Sequence, residues 1–464
     1  MAPSTMFKNR SYTFSPFSAR PNDRNSRYPW NVSNEIRARK TPLIAVIGVG
    51  FVGAGLIDSF SSRYNVLGFD VDKDRIHDLR KEFCSRPNVT LTSTESDLSK
   101  ATHFLISVPT LLRPDKSINL SYLENALQKV EQHAKRGSTV VIESSVAVGH
   151  TRELLGPIAM ARGLFAGMSP ERIDPGRTDP PMQSIPKIVS GLDDLIPGSL
   201  HAIQRVYSHV FDVVIPVSSP EVAEMTKLYE NCQRMIGIAY ANEMADACQS
   251  LGIDPFEVCR ASATKPFGYL PFNPSAGIGG HCIPVNPHYL FATCDFPLLK
   301  MATEAMDKRP AQVADDILRT FSGEAKNRDS GAELDRKVLV VGVGFKAGQR
   351  HLVNSPGLRL ARELKRSGLA VSFADKLVQQ MDVPDIGRLD DDDWVEGKLG
   401  EFDLIVVCHK QWGMDFAVLS RLEGVEVQMW SEDPLWHRRY IPLQYHSLSN
   451  HKPMLQGIPS FCFE

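Results

Sequence analysis

The strongest constraint on the fold is an apolar run that ends in three closely spaced glycines. Residues 43–48 (LIAVIG) have the composition of a buried strand, and Gly48, Gly50 and Gly53 complete the spacing GxGxxG at the predicted start of a helix. The first glycine permits a tight turn, the second lets a pyrophosphate approach the backbone, and the third lets the helix pack on the strand. The segment therefore predicts a strand–turn–helix unit that binds a dinucleotide.

Further apolar runs at 65–70, 103–108 and 138–143 repeat this pattern, with helix-like segments between them. Strands that alternate with helices predict a parallel, doubly wound sheet of the Rossmann type. A second strand-led unit begins at residue 337. The predicted fold class is α/β, with two Rossmann-like doubly wound domains joined by a central helical domain that contains one long helix.

An acidic residue at the end of the second predicted strand selects the cofactor. Asp70 stands 22 residues after Gly48, where its carboxylate can accept hydrogen bonds from both hydroxyls of a ribose. The same charge repels a 2′-phosphate, so NAD is the predicted cofactor. The predicted cofactor-binding residues are Gly48, Gly50, Phe51, Val52, Gly53, Asp70, Arg75, Val108, Pro109, Thr110 and Ser145.

The central domain is predicted from a helix start at Ser219-Pro220, whose polar–apolar pattern continues to Leu251-Gly252. A helix of about 32 residues is about 48 Å long, and such a helix usually spans between domains or forms a dimer contact. The segment 265–289 is dense in Pro and Gly, so we predict a loop there. The predicted domains are a disordered tail at 1–40, an NAD-binding domain at 41–217, the helical domain at 218–322 and a C-terminal Rossmann-like domain at 323–464.

Composition bears on localisation and partners. The formal net charge is −2, of which residues 1–40 carry +6 and the remainder −8, so no field that attracts nucleic acid is expected. No run of 18 apolar residues exists, so no membrane span is expected. Eight cysteines without a CxxC pair indicate free thiols in a cytoplasmic protein, one of them a candidate nucleophile, and no metal site is expected.

Two further features leave alternatives open. The turn at Gly342 and Gly344, with Asp375 at the end of the next strand, predicts either a site for a different nucleotide or a plain structural turn. Lys227 and Asn231 are four residues apart on the long helix, so both project from one face. An ammonium and a carboxamide directed at one point suit an oxyanion, although such a pair is more often a solvated helix face.

Several motifs together resemble the UDP-glucose/GDP-mannose dehydrogenase family. They are the GVGFVG turn, the VPT segment at 108–110, the SPERIDPG loop at 169–176, the AEMTKLYEN helix at 223–231 and the GGHCIP loop at 279–284. They follow the family's order and cover roughly residues 42–310. The sequence around GGHCIP is more similar to the UDP-N-acetylhexosamine 6-dehydrogenase branch than to the UDP-glucose branch. The resemblance implies a four-electron oxidation of a primary alcohol at sugar C6 to a carboxylate with two NAD, and a homodimer formed through the long helix.

The resemblance also implies roles for individual residues. Cys282 adds to the intermediate aldehyde, Lys227 and Asn231 stabilise the oxyanion, and Glu171 with the Ser145 hydroxyl positions or activates water. The implied catalytic set is Cys282, Lys227, Asn231, Glu171, Ser145 and Asn286. The implied contacts with a UDP-sugar, UDP-N-acetylglucosamine or UDP-glucose, are Glu171, Arg172, Lys227, Asn231, Phe272, Gly279 and Lys346.

The chain departs from the family at several positions. Asn286 replaces an aspartate, Val353 replaces an arginine and Asn354 replaces a glutamate; Arg350 is a candidate substitute for the lost cation. An amide cannot take a proton, so an impaired paralogue that binds NAD and a nucleotide in a regulatory role is the alternative to an active dehydrogenase. A 3-hydroxyacid dehydrogenase is a third reading, disfavoured because that chemistry has no use for the GGHCIP loop.

Overall fold

The computed structural model describes residues 42–174, 177, 179–325 and 336–431. The predicted tail at 1–40 lies outside the described residues. The described residues from Leu43 to Ser431 belong to one unit. Within the described ranges, no helix is both long enough and apolar enough to cross a membrane.

Alternating strands and helices build the N-terminal part of this unit, as predicted. The strands are β1 (Leu43–Ile47), β2 (Asn65–Phe69), β3 (Val89–Thr92), β4 (His103–Ile106), β5 (Leu111–Leu112), β6 (Ile118–Asn119), β7 (Thr139–Ile142), β8 (Phe165–Met168), β9 (Lys187–Gly191) and β10 (Val214–Pro216). The helices between them are α1 (Phe51–Ser61), α2 (Lys73–Glu82), α3 (Ser121–His133), α4 (Gly156–Arg162) and α5 (Ser199–Tyr207).

Eight of these strands form one sheet in the order β10-β9-β8-β7-β4-β1-β2-β3. Every pair in it is parallel except β8 with β9. The chain leaves β1 toward β2 on one side and returns to β4 on the other. The carboxyl ends of β1 and β4 therefore flank a topological switch point, where ligands of open α/β sheets bind.

Long helices follow, beginning with α6 (Pro220–Ser250), which confirms the predicted helix. Gly252 beyond its end has a φ of +69°, the left-handed conformation that glycine adopts readily. The remaining helices here are α7 (Pro255–Ala263), α8 (Asn286–Phe291) and α9 (Pro297–Ala325). The predicted loop at 265–289 is wrong at its end, because the chain becomes helical at Asn286, with Pro287 in the first turn, where a missing N–H costs little.

The C-terminal part is a second parallel sheet. Its strands are β11 (Lys337–Val341), β12 (Ala370–Ala374), β13 (Gly387–Arg388), β14 (Leu404–Val407) and β15 (Glu426–Met429), in the order β13-β12-β11-β14-β15. Helices α10 (Pro356–Arg366) and α11 (Glu396–Leu399) belong to it. The two sheets and the helices between them confirm the predicted fold class, whereas the predicted boundaries at 217–218 and 322–323 stay a prediction.

Candidate active site

The glycine turn after β1 has the geometry that its sequence predicts. Gly48 has a φ of +85°, and a Cβ at Gly53 would stand 2.0 Å from the Gly48 carbonyl oxygen. A Cβ at Gly50 would meet no atom within 4 Å, so open space lies before the N-terminus of α1. Gly50 is the N-cap residue and has no side chain to occupy the first N–H groups of the helix. The turn therefore leaves both the room and the donors that a pyrophosphate needs.

Asp70 and Arg75 brace this turn. Asp70 Oδ2 accepts a hydrogen bond from the Val49 N–H at 2.8 Å, and Oδ1 accepts one from the Asp72 N–H at 3.0 Å. Arg75 Nε donates to the Val49 carbonyl at 2.8 Å. Asp70 thus stands at the carboxyl end of β2 with its orientation set by the backbone, and the residues present fit the ribose end of NAD.

The VPT segment leaves β4 beside the same turn. A Cβ at Gly48 would be 2.9 Å from the Val108 Cα, so the two segments touch, while Pro109 is exposed and Thr110 is half-buried. Ser144 Oγ donates to the Val108 carbonyl at 2.7 Å and ties the end of β7 to the end of β4. Half-buried Ser145 follows it. The predicted cofactor residues therefore gather at the switch point.

Cys282 lies at the entrance to helix α8. Its carbonyl accepts hydrogen bonds from the Val285 N–H at 3.2 Å and the Asn286 N–H at 2.9 Å, which fold the GGHCIP loop into the helix. The thiol is free and half-buried. Tyr289 lies one turn into α8. Burial raises the pKa of Tyr289 to about 12, the Cys282 thiol acts in the same direction, and the Thr110 hydroxyl acts in the opposite direction. Tyr289 therefore lies within reach of both Thr110 and Cys282.

Lys227 and Asn231 are buried, at 7 % and 4 % exposure, so the interpretation as a solvated helix face is wrong. Asn231 Nδ2 donates to Asn286 Oδ1 at 2.5 Å, which joins α6 to α8. Burial lowers the pKa of Lys227, and the Cys282 thiol and the Glu171 carboxylate, which act in the opposite direction, lie within electrostatic reach. From one face of the long helix, the ammonium therefore lies within reach of the Cys282 thiol and the amide binds the start of α8, which follows the cysteine loop.

Glu171 is held as a carboxylate. Burial alone would raise its pKa, but the Lys187 ammonium and the Arg172 N–H hold the pKa of Glu171 below its usual value. Oε1 accepts from the N–H groups of Arg172 at 2.6 Å and Ile173 at 2.9 Å, and Oε2 accepts from Lys187 at 2.6 Å. A carboxylate stabilised in this way is a weak proton acceptor, so positioning water suits it better than activating water.

Arg172 and Lys346 each pair with an acidic residue. The Arg172 guanidinium contacts the Glu230 carboxylate, with Nη2 and Oε1 2.5 Å apart. Lys346 Nζ lies 2.9 Å from Asp174 Oδ2 and so links the C-terminal sheet to the loop of Glu171. Both cations stand on loops that border the site, with partners a substrate phosphate would have to displace or share.

The glycines of the cysteine loop touch the C-terminal part directly. The Gly280 N–H donates to the Val353 carbonyl at 2.8 Å, and Asn354 Nδ2 donates to the Gly280 carbonyl at 2.9 Å. A Cβ at Gly279 would stand 2.9 Å from the Phe345 Cβ. Asn354, a departure from the family pattern, therefore holds the loop that carries the thiol through its side chain, and Val353 holds it through its main chain; Arg350 is exposed.

Phe272 is not brought to the thiol with the other predicted substrate contacts. Its ring packs on Gly237 of α6, where a Cβ would be 2.3 Å away. There it lines an apolar cavity of about 860 Å³ along the outer face of α6. The proline- and glycine-rich sequence around Phe272 gave no signal of this orientation.

The second glycine turn is filled by its own chain. Asp375, 2 % exposed, accepts hydrogen bonds through Oδ2 from the N–H groups of Val343 and Gly344, at 3.0 and 3.1 Å. Its Oδ1 accepts from the Leu377 N–H at 2.9 Å and from Gln411 Nε2 at 3.1 Å. No acceptor is left for a ribose, so the geometry favours the structural turn.

Three buried polar residues of the site were missed from the sequence. Lys187 Nζ lies 2.7 Å from Glu143 Oε2 as well as 2.6 Å from Glu171, and Tyr207 donates a hydrogen bond to Glu143. The available signal was a lysine inside the apolar run 185–189 (IPKIV), where an unpaired charge would be costly.

The chain matches two family models in sequence. Residues 42–211 match the NAD binding domain, and residues 221–306 the central domain, of the UDP-glucose/GDP-mannose dehydrogenase family. Protein CapL of Staphylococcus aureus is 32 % identical over 393 residues, which is 80 % of this chain and 90 % of that protein. The UDP-N-acetyl-D-glucosamine 6-dehydrogenase of Pseudomonas aeruginosa is 30 % identical over 363 residues, or 73 % of this chain and 84 % of that protein.

Solved structures share the fold. The UDP-D-ManNAc dehydrogenase of Pyrococcus horikoshii superposes with a TM-score of 0.73 at 24 % identity and covers 84 % of this chain and 99 % of its own. The glycine turn and Asp70 fit the NAD-binding role of the matched N-terminal domain. The chain is therefore a member of the UDP-glucose/GDP-mannose dehydrogenase family, with an N-terminal domain that binds NAD.

Proposed function

We propose that this protein is an NAD-dependent UDP-sugar 6-dehydrogenase that oxidises a C6 primary alcohol to a carboxylate through Cys282. The single observation that carries the proposal is the placement of Lys227 and Asn231 around a free, half-buried cysteine: Lys227 lies within electrostatic reach of both Cys282 and Glu171, and Asn231 binds Asn286, whose N–H binds the Cys282 carbonyl. An ammonium and an amide donor beside a thiol suit a reaction in which the sulfur attacks a substrate carbonyl carbon and negative charge develops on the carbonyl oxygen.

The chemistry proceeds in two oxidations. NAD supplies the oxidising power by accepting two electrons as hydride in each of them. The first converts the alcohol to an aldehyde with loss of one proton, and the Cys282 sulfur then adds to the carbonyl carbon to form a thiohemiacetal. Loss of hydride from that carbon and of the proton from its hydroxyl group leaves a thioester, which water cleaves to the carboxylate, the free thiol and one proton.

This chain's residues have separate tasks in these steps. Lys227 and Asn231 donate to the oxygen that becomes anionic when sulfur or water adds to the carbon. Glu171, anchored by two backbone N–H groups and an ammonium, orients the water. Lys227, whose pKa is lowered mainly by burial, is better suited than Glu171 to exchange a proton near neutral pH.

UDP-N-acetylhexosamines are the proposed substrates, with UDP-N-acetylglucosamine ahead of UDP-glucose. Support comes from the relatives, because the Pseudomonas aeruginosa enzyme is named for UDP-N-acetyl-D-glucosamine and several others for UDP-N-acetyl-D-mannosamine. The test is NADH formation by purified protein with a panel of UDP- and GDP-sugars. Turnover of UDP-N-acetylhexosamines supports the proposal, and turnover of GDP-mannose alone contradicts it.

An impaired, regulatory paralogue is the second candidate, and Asn286 favours it. The amide lies beside Asn231 at the position where the family pattern has a proton-accepting carboxylate. Tight binding of NAD and a UDP-sugar without NADH formation, measured by calorimetry and absorbance on the same protein, would support this candidate instead.

A homodimer is proposed through the outer face of α6. That face exposes large apolar side chains, including Tyr229 at 70 %, Tyr240 at 63 % and Met244 at 42 %. Contiguous apolar surface of this kind marks an interface more often than a solvated face. Light scattering should give twice the monomer mass, and Tyr240→Glu should lower it; a monomeric native protein would contradict the proposal.

A further inference from the structure

Lys187 occupies a place where a lysine is costly. It begins β9, it is 2 % exposed, and Ile188 and Val189 follow it into the core. A buried ammonium persists only where opposite charges and hydrogen-bond acceptors compensate for the lost hydration. The side chains that supply this compensation come from different parts of the N-terminal sheet.

Two carboxylates pair with Lys187, and two further groups act on those carboxylates. Glu143 follows β7 and Glu171 follows β8; their carboxylates are 2.7 and 2.6 Å from the Lys187 ammonium. Tyr207 at the end of α5 donates its hydroxyl to Glu143. Lys227 on α6 also lowers the pKa of Glu171. Charges of alternating sign therefore lead from Glu143 through Lys187 and Glu171 to Lys227.

The chain of charges ends at the thiol. Burial and the Lys187 ammonium both lower the pKa of Lys227, whereas the Cys282 thiol and the carboxylates of Glu171 and Glu230 raise it. The two lysines thus repel each other, and both attract the Glu171 carboxylate. Burial raises the pKa of Glu143, against the pull of the Lys187 ammonium, whereas the pKa of Glu171 is lowered. A proton that enters the ion triad of Glu143, Lys187 and Glu171 therefore binds first to Glu143 and leaves Glu171 ionised.

We propose that Lys187 is a positioning residue of the dehydrogenase: its buried ammonium fixes Glu171 as a carboxylate and sets the charge that Lys227 presents to Cys282. The inference rests on the proposed function for its meaning in catalysis. A purely structural ion triad would fasten β7, β8 and β9 together and would leave the titration of the thiol unchanged.

The test removes the ammonium without leaving an unbalanced buried charge. Lys187→Met alone would strand two carboxylates and is expected to unfold the protein. The double variant Lys187→Met/Glu143→Gln removes one cation and one anion, so the net charge of the site stays the same. Glu143→Gln alone keeps Lys187 on Glu171. Arg309→Met/Asp246→Asn, which removes another ion pair between α6 and α9 with Nη2 and Oδ1 2.6 Å apart, controls for stability loss.

The primary readout is the pH dependence of Cys282 alkylation by iodoacetamide, followed on the peptide that contains it by mass spectrometry. Of the two charges removed in the double variant, the Lys187 ammonium is the one nearer to Glu171 and Lys227. Its loss raises the pKa of the groups that remain in the site. The midpoint for Lys187→Met/Glu143→Gln should therefore rise by at least about half a pH unit. The midpoint for Glu143→Gln should stay at or below the native value, and the Arg309→Met/Asp246→Asn control should match the native protein.

A second readout is the acidic limb of the pH–kcat profile for NADH formation, which should move to higher pH in the same double variant. If the folded double variant has the same alkylation midpoint and the same acidic limb of the pH–kcat profile as the native protein, the inference is overturned and Lys187 is a structural residue. Alkylation needs no substrate. If the native protein oxidises no UDP-sugar but the double variant still shifts the alkylation midpoint, the proposed function fails and the electrostatic role of Lys187 is supported.

Discussion

Asn231 and Asn286 form a direct contact between the long helix α6 and the start of α8, with Nδ2 of the first 2.5 Å from Oδ1 of the second. Asn286 is 2 % exposed, and its N–H also donates to the Cys282 carbonyl. A carboxylate at position 286 would accept the same hydrogen bond from Asn231 and would add a negative charge beside the thiol.

Asn286→Asp should therefore lower the rate of NADH formation in an enzyme that works with the amide. The added charge raises the pKa of the nearby thiol, and one pKa unit lowers the thiolate fraction about ten-fold near neutral pH. The measurement is a paired assay of native and variant protein on the best UDP-sugar. A rate increase would support the impaired paralogue, and an unchanged rate would place position 286 outside the chemistry.

Asp70 should govern the choice of cofactor. Asp70→Ala should weaken NAD binding about ten-fold or more, because one charge-assisted hydrogen bond contributes about 1.5–3 kcal/mol, and should relax discrimination against NADP. Because Asp70 also accepts from the Val49 N–H, Asp70→Asn is the matched control that keeps an acceptor without the charge. Titrations with NAD and NADP decide the matter, and identical affinities in native protein and Asp70→Ala would place the ribose elsewhere.

Glu224 should prove important for stability. It is fully buried on α6 and accepts hydrogen bonds from the N–H groups of Gly149 at 2.6 Å and Thr151 at 2.8 Å, which shape the segment that follows Ser145. Glu224→Ala leaves both N–H groups unsatisfied and should lower the free energy of unfolding by about 2–5 kcal/mol. Glu224→Gln keeps one acceptor and should cost less. Urea unfolding midpoints test this order. Equal midpoints for the two variants would contradict it.

The sequence predicted the sheets and the long helix because their signals are local. Apolar runs such as residues 43–48 and the pattern from Pro220 to Leu251 can be read without knowing what packs against them. The start of α8 was missed because Asn286-Pro287 resembles a turn, although proline also suits the first turn of a helix.

The electrostatics of the site depend on partners that are distant in sequence. Lys187 contacts Glu143 and Glu171, which lie 44 and 16 residues before it, so the ion triad exists only after β7, β8 and β9 assemble. Asp375 has the same relation to Gly342 that Asp70 has to Gly48, and only the structure reveals that backbone and Gln411 donors already surround its carboxylate.

The central claim is that Cys282 forms a covalent intermediate in a four-electron oxidation. The most direct test measures NADH released per UDP-sugar consumed, for native protein and Cys282→Ser, with the acid product quantified alongside. We predict two NADH per sugar for the native protein and no net acid from Cys282→Ser, since a serine oxygen is a far weaker nucleophile than a thiolate. One NADH per sugar in the native protein, or undiminished acid formation by Cys282→Ser, would contradict the account.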